Sequence, residues 1–282
     1  MNTTTPSTKD QLIGKLCETS TGSIRLVDVM GDDHRVVQAA RISFGKQAQV
    51  INADKDRALL RYLMRNRHTS PFEQCELTFI VECPMDLWRQ WVRHRTANVN
   101  EYSTRYAPAF NNAAMAATRP DSWRLQATNN KQGSDGLLDP IIGGRFSIVE
   151  QRFQSIARDV YKERIEAGVA KEQARKDLPL STMTTAYWKS DLHNLFHFLE
   201  LRMAGQLEIR EFADVIFHEF VQPLFPWSAE AFVDYVLDAV TLTGPEIEVL
   251  KLALVPTATD DDRLGEREKT DLLAKIRRIN DG

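Results

Sequence analysis

Residues 74–83 restrict the folds open to this chain more than any other segment. The odd-numbered positions of this segment are apolar: Cys75, Leu77, Phe79, Val81 and Cys83. The positions between them include Glu76, Thr78 and Glu82. Because successive side chains of a β-strand point to opposite faces, this alternation predicts a strand with one dry face and one wet face.

A second strand is predicted at Ser23–Met30, and helical patterns occupy most of the remaining chain. Apolar residues that recur every three or four positions indicate an amphipathic helix. The predicted helices cover, approximately, residues 33–42, 53–67, 84–92, 147–166, 171–178, 182–203, 208–220 and 229–240. We therefore expect an α+β fold, with a small, mostly antiparallel sheet flanked by helices.

Three regions stand apart from the main domain, which we expect at residues 23–243. Residues 1–22 are interpreted as a disordered or flexible tail. Residues 111–145 are rich in Asn, Gln, Ser, Gly and Pro and show no sustained period, which predicts a lid-like insertion. This insertion either lines a ligand or packs on a neighbouring subunit, and packing is the slightly preferred interpretation. Residues 244–282 are predicted to form a charged helical extension.

The composition narrows the class of protein. Hydrophobic residues make up 43% of the chain and charged residues 27%, as in ordinary soluble proteins. With 36 basic and 39 acidic residues the net charge is −3, which argues against a general nucleic-acid binder. No stretch approaches the roughly 18 apolar residues of a membrane span, and the first residues do not resemble a signal peptide. We expect a cytoplasmic protein whose anion binding is local.

The three cysteines do not indicate a disulfide framework or a metal site. Cys17, Cys75 and Cys83 form no CxxC pair. We expect reduced, buried thiols.

The strongest candidate for a binding site is the run of residues 93–106, which contains three arginines and a histidine within thirteen positions. Guanidinium groups bind phosphate bidentately, and Ser103 adds a hydroxyl donor. Asn100 and Glu101 can hydrogen-bond the neutral heteroatoms of a ring or a ribose. This mixture is more typical of a nucleotide site than of a site for a bare inorganic anion. The alternative is a solvated basic helix end.

This run resembles the signature of the flavin-dependent thymidylate synthases, which is Arg-His-Arg, seven residues, then Ser. Here the seven residues are 96–102 and the serine is Ser103. Four other segments are similar to elements of that family and follow the same order. They are His-Thr-Ser-Pro-Phe-Glu at 68–73, Trp-Arg-Gln-Trp at 88–91, the run 172–180 that contains Glu-Gln-Ala-Arg and Leu-Pro-Leu, and the run 192–202. The resemblance extends over residues 25–232.

The resemblance implies an enzyme that converts dUMP to dTMP by reductive methylation. It also implies a homotetramer with active sites between subunits, each binding FAD, dUMP and 5,10-methylenetetrahydrofolate, with NADPH reducing the flavin. In such an enzyme the hard redox step belongs to the cofactor, while the protein supplies positioning and charge.

The resemblance also assigns roles to individual residues. Those expected at the flavin are Arg93, His94 and Arg95, with His68, Ser70, Glu73, Asn100 and Glu101 nearby, and His193 and His197 on the long helix. Those expected at dUMP are Arg89, Gln90, Arg93, Glu101, Ser103, Arg105, Arg175 and Arg202.

Arg202 is the residue expected to act in catalysis, placed against the uracil ring. A fixed cation there favours loss of the N3 proton and pushes electron density toward C5, which must receive the one-carbon unit. Ring activation then needs no cysteine nucleophile. Taken alone, an arginine near a helix C-terminus more often interacts with the helix dipole. After Arg202 the chain also lacks the His-Ala-Gln run that is usual in the family.

Three other functions remain open from the sequence. His193 and His197 have metal-ligand spacing, so a zinc hydrolase is the rival enzyme class, but the glutamate of HExxH is absent and no third ligand is marked. A flavin contact and a pair in the core are the other interpretations of these two histidines. Residues 93–105, together with Trp88 and Trp91, can form a module that stacks RNA bases, unless the tryptophans belong to the core. Methylation of another uridine nucleotide at C5 would use nearly the same residues as methylation of dUMP.

Overall fold

The structure is a computed structural model that describes residues 7–43, 45, 52–103, 115–119, 121–128, 133–244, 269–270 and 272–276. The chain divides into two compact units, Met1–Leu237 and Asp238–Gly282. All the strands of the described residues belong to the first unit. In the second unit, residues 269–270 and 272–276 are helical. None of the described helices is long and apolar enough to cross a membrane.

The first unit is built on a five-stranded antiparallel sheet. Its strands are β1 (Leu16–Glu18), β2 (Ser23–Met30), β3 (Glu76–Pro84), β4 (Asn98–Glu101) and β7 (Met183–Asp191), which lie in the order β1-β2-β3-β7-β4. The apolar positions predicted for the dry face of β3 are completely buried. The expected α+β fold with a small antiparallel sheet is therefore confirmed.

Helices flank this sheet, and a two-stranded hairpin of β5 (Arg124–Gln126) and β6 (Ser134–Leu137) lies apart from it. The helices are α1 (Thr8–Leu12), α2 (Asp33–Ile42), α3 (Ala53–Arg65), α4 (Met85–Trp91), α5 (Pro140–Glu166), α6 (Lys171–Ala174), α7 (Leu192–Met203), α8 (Leu207–Val215), α9 (Gln222–Leu224) and α10 (Pro226–Phe232). Short 3₁₀ segments lie at Phe72–Gln74 and Arg175–Asp177, and π-helical turns at Ile216–Val221 and Val233–Leu237.

An aromatic core joins the sheet to α4 and α7. The Trp188 ring of β7 lies 5.9 Å from that of Phe79 on β3, 5.1 Å from that of Trp91 on α4 and 5.1 Å from that of Phe198 on α7. Such close aromatic contacts add specific geometry to the burial of apolar surface. The C-terminal end of α4 and the face of α7 are thereby fixed relative to β7.

The prediction of one helix over residues 182–203 is wrong in its first half. Residues Met183–Asp191 form β7, and the helix begins at Leu192 after Asp191, whose side chain caps it. Thr184, Ala186, Trp188 and Ser190 are buried while the residues between them are more exposed, which is the period of a strand. Two of these four buried residues are polar, so the alternation is not visible as hydrophobicity.

Other boundaries also differ from the sequence predictions. Strand β4 lies within a run whose sequence predicts a helix end and a loop, and α5 begins at Pro140, inside the segment 111–145. The described part of residues 1–22, interpreted from the sequence as a tail, contains α1 and β1. In the segment 111–145, Thr118 and Trp123 contact α5 of the same chain: Trp123 Nε1 donates to Ser147 Oγ at 3.0 Å, and Ser147 Oγ donates to the Thr118 carbonyl at 2.7 Å.

Candidate active site

A basic pocket, here called the Arg175 pocket, lies between α4, β4, β7 and the 3₁₀ segment Arg175–Asp177. Its volume is about 700 Å³. It is lined by Met85, Arg89, Glu101, Tyr102, Ser103, Glu172, Arg175, Lys176, Leu178, Leu180, Thr182, Met183 and Thr184. Three cationic side chains and a serine hydroxyl therefore meet around one cavity, which is the donor set that a phosphate group requires.

Strand pairing positions Glu101, one of the two carboxylates that line the Arg175 pocket. Strand β4 pairs with β7, and beyond it the Tyr102 N–H donates to the Thr185 carbonyl at 2.8 Å. This pairing brings Glu101 next to Thr184, whose hydroxyl donates to Glu101 Oε1 at 2.7 Å. The other oxygen of Glu101 remains available to accept a hydrogen bond, as from a sugar hydroxyl.

A second pocket, here called the Arg202 pocket, lies where the turn after α4 meets β7 and α7. Its volume is about 320 Å³. It is lined by Arg93, His94, Arg95, Thr96, Ala97, Trp188, Ser190, Asn194, His197, Leu201 and Arg202. The Arg-His-Arg triplet and Arg202 are thus brought together although about one hundred residues separate them in the chain.

Arg202 is held by two acceptors. Its Nε donates to His94 Nε2 at 2.8 Å, and its Nη2 donates to the Gln90 carbonyl at 3.1 Å. Burial lowers the pKa of Arg202, although arginine remains charged in proteins. Burial, followed by the charges of Arg202 and His197, lowers the pKa of His94 to about 4. His94 is therefore neutral at pH 7.

The two pockets share no lining residue: α4 lines the Arg175 pocket, and the turn after α4 lines the Arg202 pocket. Gln90 lines neither. It lines a third pocket of about 220 Å³, and its carbonyl accepts a hydrogen bond from Arg202. The substrate contact predicted for the Gln90 side chain stays a prediction.

Several other predicted residues lie outside both pockets. They are His68, Ser70, Glu73, Asn100 and His193. His68 packs edge-on against Tyr62 at 5.7 Å, and Glu73 accepts a hydrogen bond from Thr69 at 2.9 Å. Their loop is anchored to α7, where Phe72 packs against Phe196 at 6.2 Å. Arg105 lies outside the described residues. The flavin and substrate roles of these residues stay predictions.

Sequence reasoning missed several residues that line the pockets. Lys176, Thr182 and Thr184 belong to the Arg175 pocket, and Asn194 to the Arg202 pocket. Thr184 lies in β7 and Thr182 immediately before it, and both are missed because the sequence predicts a helix from residue 182 onward. Recognising the alternation of β7 would have placed Thr182 and Thr184 on one face. For Lys176, its position next to Arg175 is the available signal.

The described residues do not support a metal site, an RNA-stacking surface or a cysteine nucleophile. Within the described residues no group of three or more His, Cys, Asp or Glu side chains could hold a metal ion. Trp88 and Trp91 are 3% and 0% exposed, so they are core residues and cannot stack on RNA bases. Burial raises the pKa of the Cys75 thiol to about 12 and also raises the pKa values of Cys17 and Cys83. None of the three thiols is activated as a nucleophile.

Comparison with known sequences identifies close relatives. The profile of the family described as "Thymidylate synthase complementing protein" matches residues 25–227. The flavin-dependent thymidylate synthase of Wolbachia pipientis wMel is 41% identical over 257 residues, which are 90% of this chain and 89% of the relative. A flavin-dependent thymidylate synthase of Thermus thermophilus is 45% identical over 238 residues, with 83% and 84% covered.

Solved structures resemble the fold as well. The UMP/dUMP methylase PolB from Streptomyces cacaoi, bound with 5-Br dUMP, superposes with a TM-score of 0.67 at 30% identity. The match covers 79% of this chain and 97% of PolB. A structure of the same methylase bound with 5-Br UMP gives a TM-score of 0.66 at 29% identity, covering 77% and 96%.

Proposed function

The chain belongs to the family of flavin-dependent thymidylate synthases, and we propose that it converts dUMP to dTMP by reductive methylation. In this proposal 5,10-methylenetetrahydrofolate donates the carbon and FAD, reduced by NADPH, is the source of the hydride. The observation that carries the proposal is the convergence of the Arg-His-Arg triplet and Arg202 on one pocket. The protein is an FAD-dependent methyltransferase.

The Arg175 pocket is the proposed site for the phosphate and sugar of dUMP. Arg89 and Arg175 provide charge-assisted donors for the phosphate, and Ser103 adds a hydroxyl. Arg89 forms no ion pair with another described residue, so its guanidinium can bind a phosphate. Glu101, oriented by Thr184, accepts a hydrogen bond from a sugar hydroxyl. In this arrangement the Arg175 pocket binds the phosphate and sugar of dUMP, and the uracil base extends from it toward an Arg202 side chain.

Arg202 is the proposed electrostatic catalyst. The Nε and one Nη2 hydrogen of its guanidinium are already bonded, so three N–H donors remain for the pyrimidine. A cation held there stabilises the negative charge that develops when N3 loses its proton and C5 becomes nucleophilic. The inactive thiols of this chain are consistent with a reaction that proceeds without a cysteine nucleophile.

The Arg202 pocket fits part of FAD. Arg93 and Arg95 have no ion-pair partner among the described residues, and His197 and Asn194 add polar contacts from α7. These residues, with His68, Ser70, Glu73, Asn100, Glu101 and His193, are the proposed flavin ligands. When bound, FAD supplies the hydride that completes the methyl group. The chain itself supplies anchoring charges and, in Trp188, an apolar wall.

A homotetramer with composite active sites is also part of the proposal. The Arg175 and Arg202 pockets of one chain are separate, so a single dUMP can meet both donor sets if a second copy brings its pocket alongside. Helix α5 supports such an association because its large apolar side chains face outward. They are Ile141, Ile142, Phe146, Ile148, Val149, Phe153 and Ile156. An exposed apolar face of this length marks an interaction surface.

The proposed function is tested with purified protein reconstituted with FAD. Flavin absorbance should remain with the protein after gel filtration, and dUMP, methylenetetrahydrofolate and NADPH together should yield dTMP. Omission of dUMP, of methylenetetrahydrofolate or of NADPH should abolish dTMP formation. A colourless protein that takes up no FAD from excess, or an FAD-loaded protein that forms no dTMP, would contradict the proposal.

Arg202→Ala is the decisive variant for the assigned catalytic role. It should retain FAD and lose dTMP formation by about 10²-fold or more, because it removes a charge that acts in the transition state. Retained turnover in this variant would remove Arg202 from the mechanism while leaving the overall reaction in place.

UMP is the second substrate to test in the same assay, because the methylase with the superposable structure is described as acting on both UMP and dUMP. The Arg175 pocket contains the carboxylate of Glu101, which can accept from a 2′- or a 3′-hydroxyl. Methylation of UMP with a kcat/KM equal to that for dUMP would make this chain a methylase of both nucleotides.

A further inference from the structure

His94 and Arg202 form the one side-chain hydrogen bond that joins the Arg-His-Arg segment to α7 among the described residues. The donor is Arg202 Nε and the acceptor His94 Nε2, at 2.8 Å. Guanidinium groups have only donors, so Nε2 must carry the lone pair. His94 is therefore a neutral imidazole with its proton on Nδ1, and the geometry alone fixes this tautomer.

The surroundings of His94 hold its ring in place. The ring packs edge-on against Phe198 at 4.9 Å and lies 5.9 Å from the ring of His197. Its backbone N–H donates to the Trp91 carbonyl at 3.1 Å. The charged or titratable groups around it are Arg93 and Arg95 on its own segment, and His197, Glu200 and Arg202 on α7. Glu200 lies beyond His197, at 3.9 Å from His197 Nδ1.

We propose that His94 is a positioning residue, which uses its neutral Nε2 to hold the guanidinium of Arg202 in the orientation that the pyrimidine ring of the substrate requires. The inference rests on the proposed function and assigns His94 a task other than the flavin contact expected for it. With Nε bonded to His94 and Nη2 to the Gln90 carbonyl, the guanidinium plane is fixed from two directions. The remaining donors lie along its other edge and need no reorganisation during the reaction.

Two variants of similar size separate this role from simple packing. In His94→Gln the amide oxygen reaches about as far as Nε2 and can accept from Arg202 Nε, whereas in His94→Asn it reaches only about as far as Nδ1. We expect His94→Asn to lower kcat by about 10–100-fold, the range for a lost charge-assisted hydrogen bond. We expect His94→Gln to stay within about 3-fold of the wild type. The KM for dUMP and the bound FAD should change little in both variants.

The coupling between the two residues gives the sharper test. Arg202→Lys removes the Nε donor, so adding His94→Asn to Arg202→Lys should cause no further loss of kcat, whereas a purely structural role of His94 would cost activity in both backgrounds. Equal kcat for His94→Asn and the wild type would overturn the inference. So would an additive double variant, or a loss that appears only as release of FAD.

Separate measurements test the proposed function and the His94–Arg202 hydrogen bond. The wild-type protein reports on the function through dTMP formation. The same four proteins report on the hydrogen bond through thermal unfolding, where the shifts of Tm should also be non-additive. Non-additive Tm shifts in a protein that makes no dTMP would contradict the proposed function and uphold the bond, whereas additive shifts in an active enzyme would overturn the inference.

Discussion

In the proposed function, substrate binding and chemistry are assigned to different arginines, which line the two separate pockets. Arg89 lines the Arg175 pocket, is exposed and has no ion-pair partner among the described residues. Arg202 is partly buried and fixed by two acceptors. A group that binds a phosphate interacts equally with substrate and transition state, so its loss appears in KM, whereas loss of Arg202 appears in kcat.

Arg89→Ala should therefore raise the KM for dUMP by about 10–100-fold, the effect of one lost charge-assisted hydrogen bond of roughly 1.5–3 kcal/mol. The kcat at saturating dUMP should stay within about 3-fold. Steady-state kinetics of dTMP formation measure both values. Arg25→Ala is the matched control, because Arg25 is exposed on β2 and lines neither pocket. Equal KM values for the two variants would contradict the placement of the phosphate.

His94 gives the protein a defined pH dependence of stability. Its pKa is lowered from 6.5 to about 4, first by burial and then by Arg202 and His197. Between these two values the unfolded chain binds a proton that the folded chain does not bind, so stability is present above pH 6.5 and falls as the pH drops toward about 4. His94→Gln cannot titrate, and its Tm should fall less steeply over this window. Tm measured against pH, at fixed protein and FAD concentrations, checks this. Parallel plots of Tm against pH for the two proteins would show that His94 contributes nothing to the pH dependence of stability.

At the scale of elements, Asp33 joins the start of α2 to the start of α10. Its carboxylate is buried and accepts from the Trp227 N–H at 2.7 Å, the Ser228 N–H at 3.1 Å and the Ser228 hydroxyl at 2.5 Å. The first N–H groups of a helix have no partner inside the helix, so this carboxylate satisfies donors that would otherwise be buried unpaired.

Asp33→Asn should lower the free energy of unfolding by about 1–3 kcal/mol, because the amide has a single acceptor oxygen for three donors. Ser228→Ala removes only the hydroxyl and should cost about 0.5–1.5 kcal/mol. Denaturant unfolding of the two variants beside the wild type measures the difference. A larger loss in Ser228→Ala than in Asp33→Asn would show that Asp33 does not satisfy the backbone of α10.

The strands show which elements can be predicted from the sequence. β3 is central, and its apolar face contains no polar residue, so its period is visible in the sequence. β7 is also an interior strand, but its buried face includes Thr184 and Ser190, which are not hydrophobic, so its period is not visible in the sequence. β4 has four exposed residues and exists because it pairs with β7, a non-local contact without a local pattern. The register of β4 on β7 is what brings Glu101 to Thr184, so that contact could not be predicted either.

The site itself was predictable as residue types and only partly as geometry. Residues 93–103 follow a fixed spacing, and that spacing led to Arg93, His94, Arg95 and Ser103. It could not show that Arg89 and Gln90 line different pockets, because neighbouring residues of a helix are rotated by about 100°. Nor could it show the bond from Arg202 to His94, which depends on how α7 packs beside the end of α4.

At the scale of the whole molecule, α5 has an inverted distribution of side chains. The residues that it buries against its own chain are small or polar in most cases: Gly143, Ser147, Gln154, Ala157 and Tyr161. Its large aliphatic residues face outward, with Val149 60% and Ile156 63% exposed. A helix normally buries its apolar stripe. We infer that the outward stripe is covered by a second copy of this chain, which would also bring one copy's Arg175 pocket to the other's Arg202 pocket.

Ile156→Lys tests this assembly, because it places a charge in the middle of the stripe, where burial against a second copy would leave it desolvated and unpaired. We expect a species smaller than the wild-type oligomer in light scattering after gel filtration, and a loss of dTMP formation of at least about 10-fold, since neither pocket then has its complement. Gln151→Lys is the matched control: it adds the same charge to an exposed position of α5 outside the stripe, and should leave both mass and activity unchanged. The circular dichroism of both variants should match the wild type, which excludes unfolding as the cause. A dissociated Ile156→Lys protein with full activity would mean that one chain completes the site alone, and an intact oligomer would mean that the stripe is not the interface.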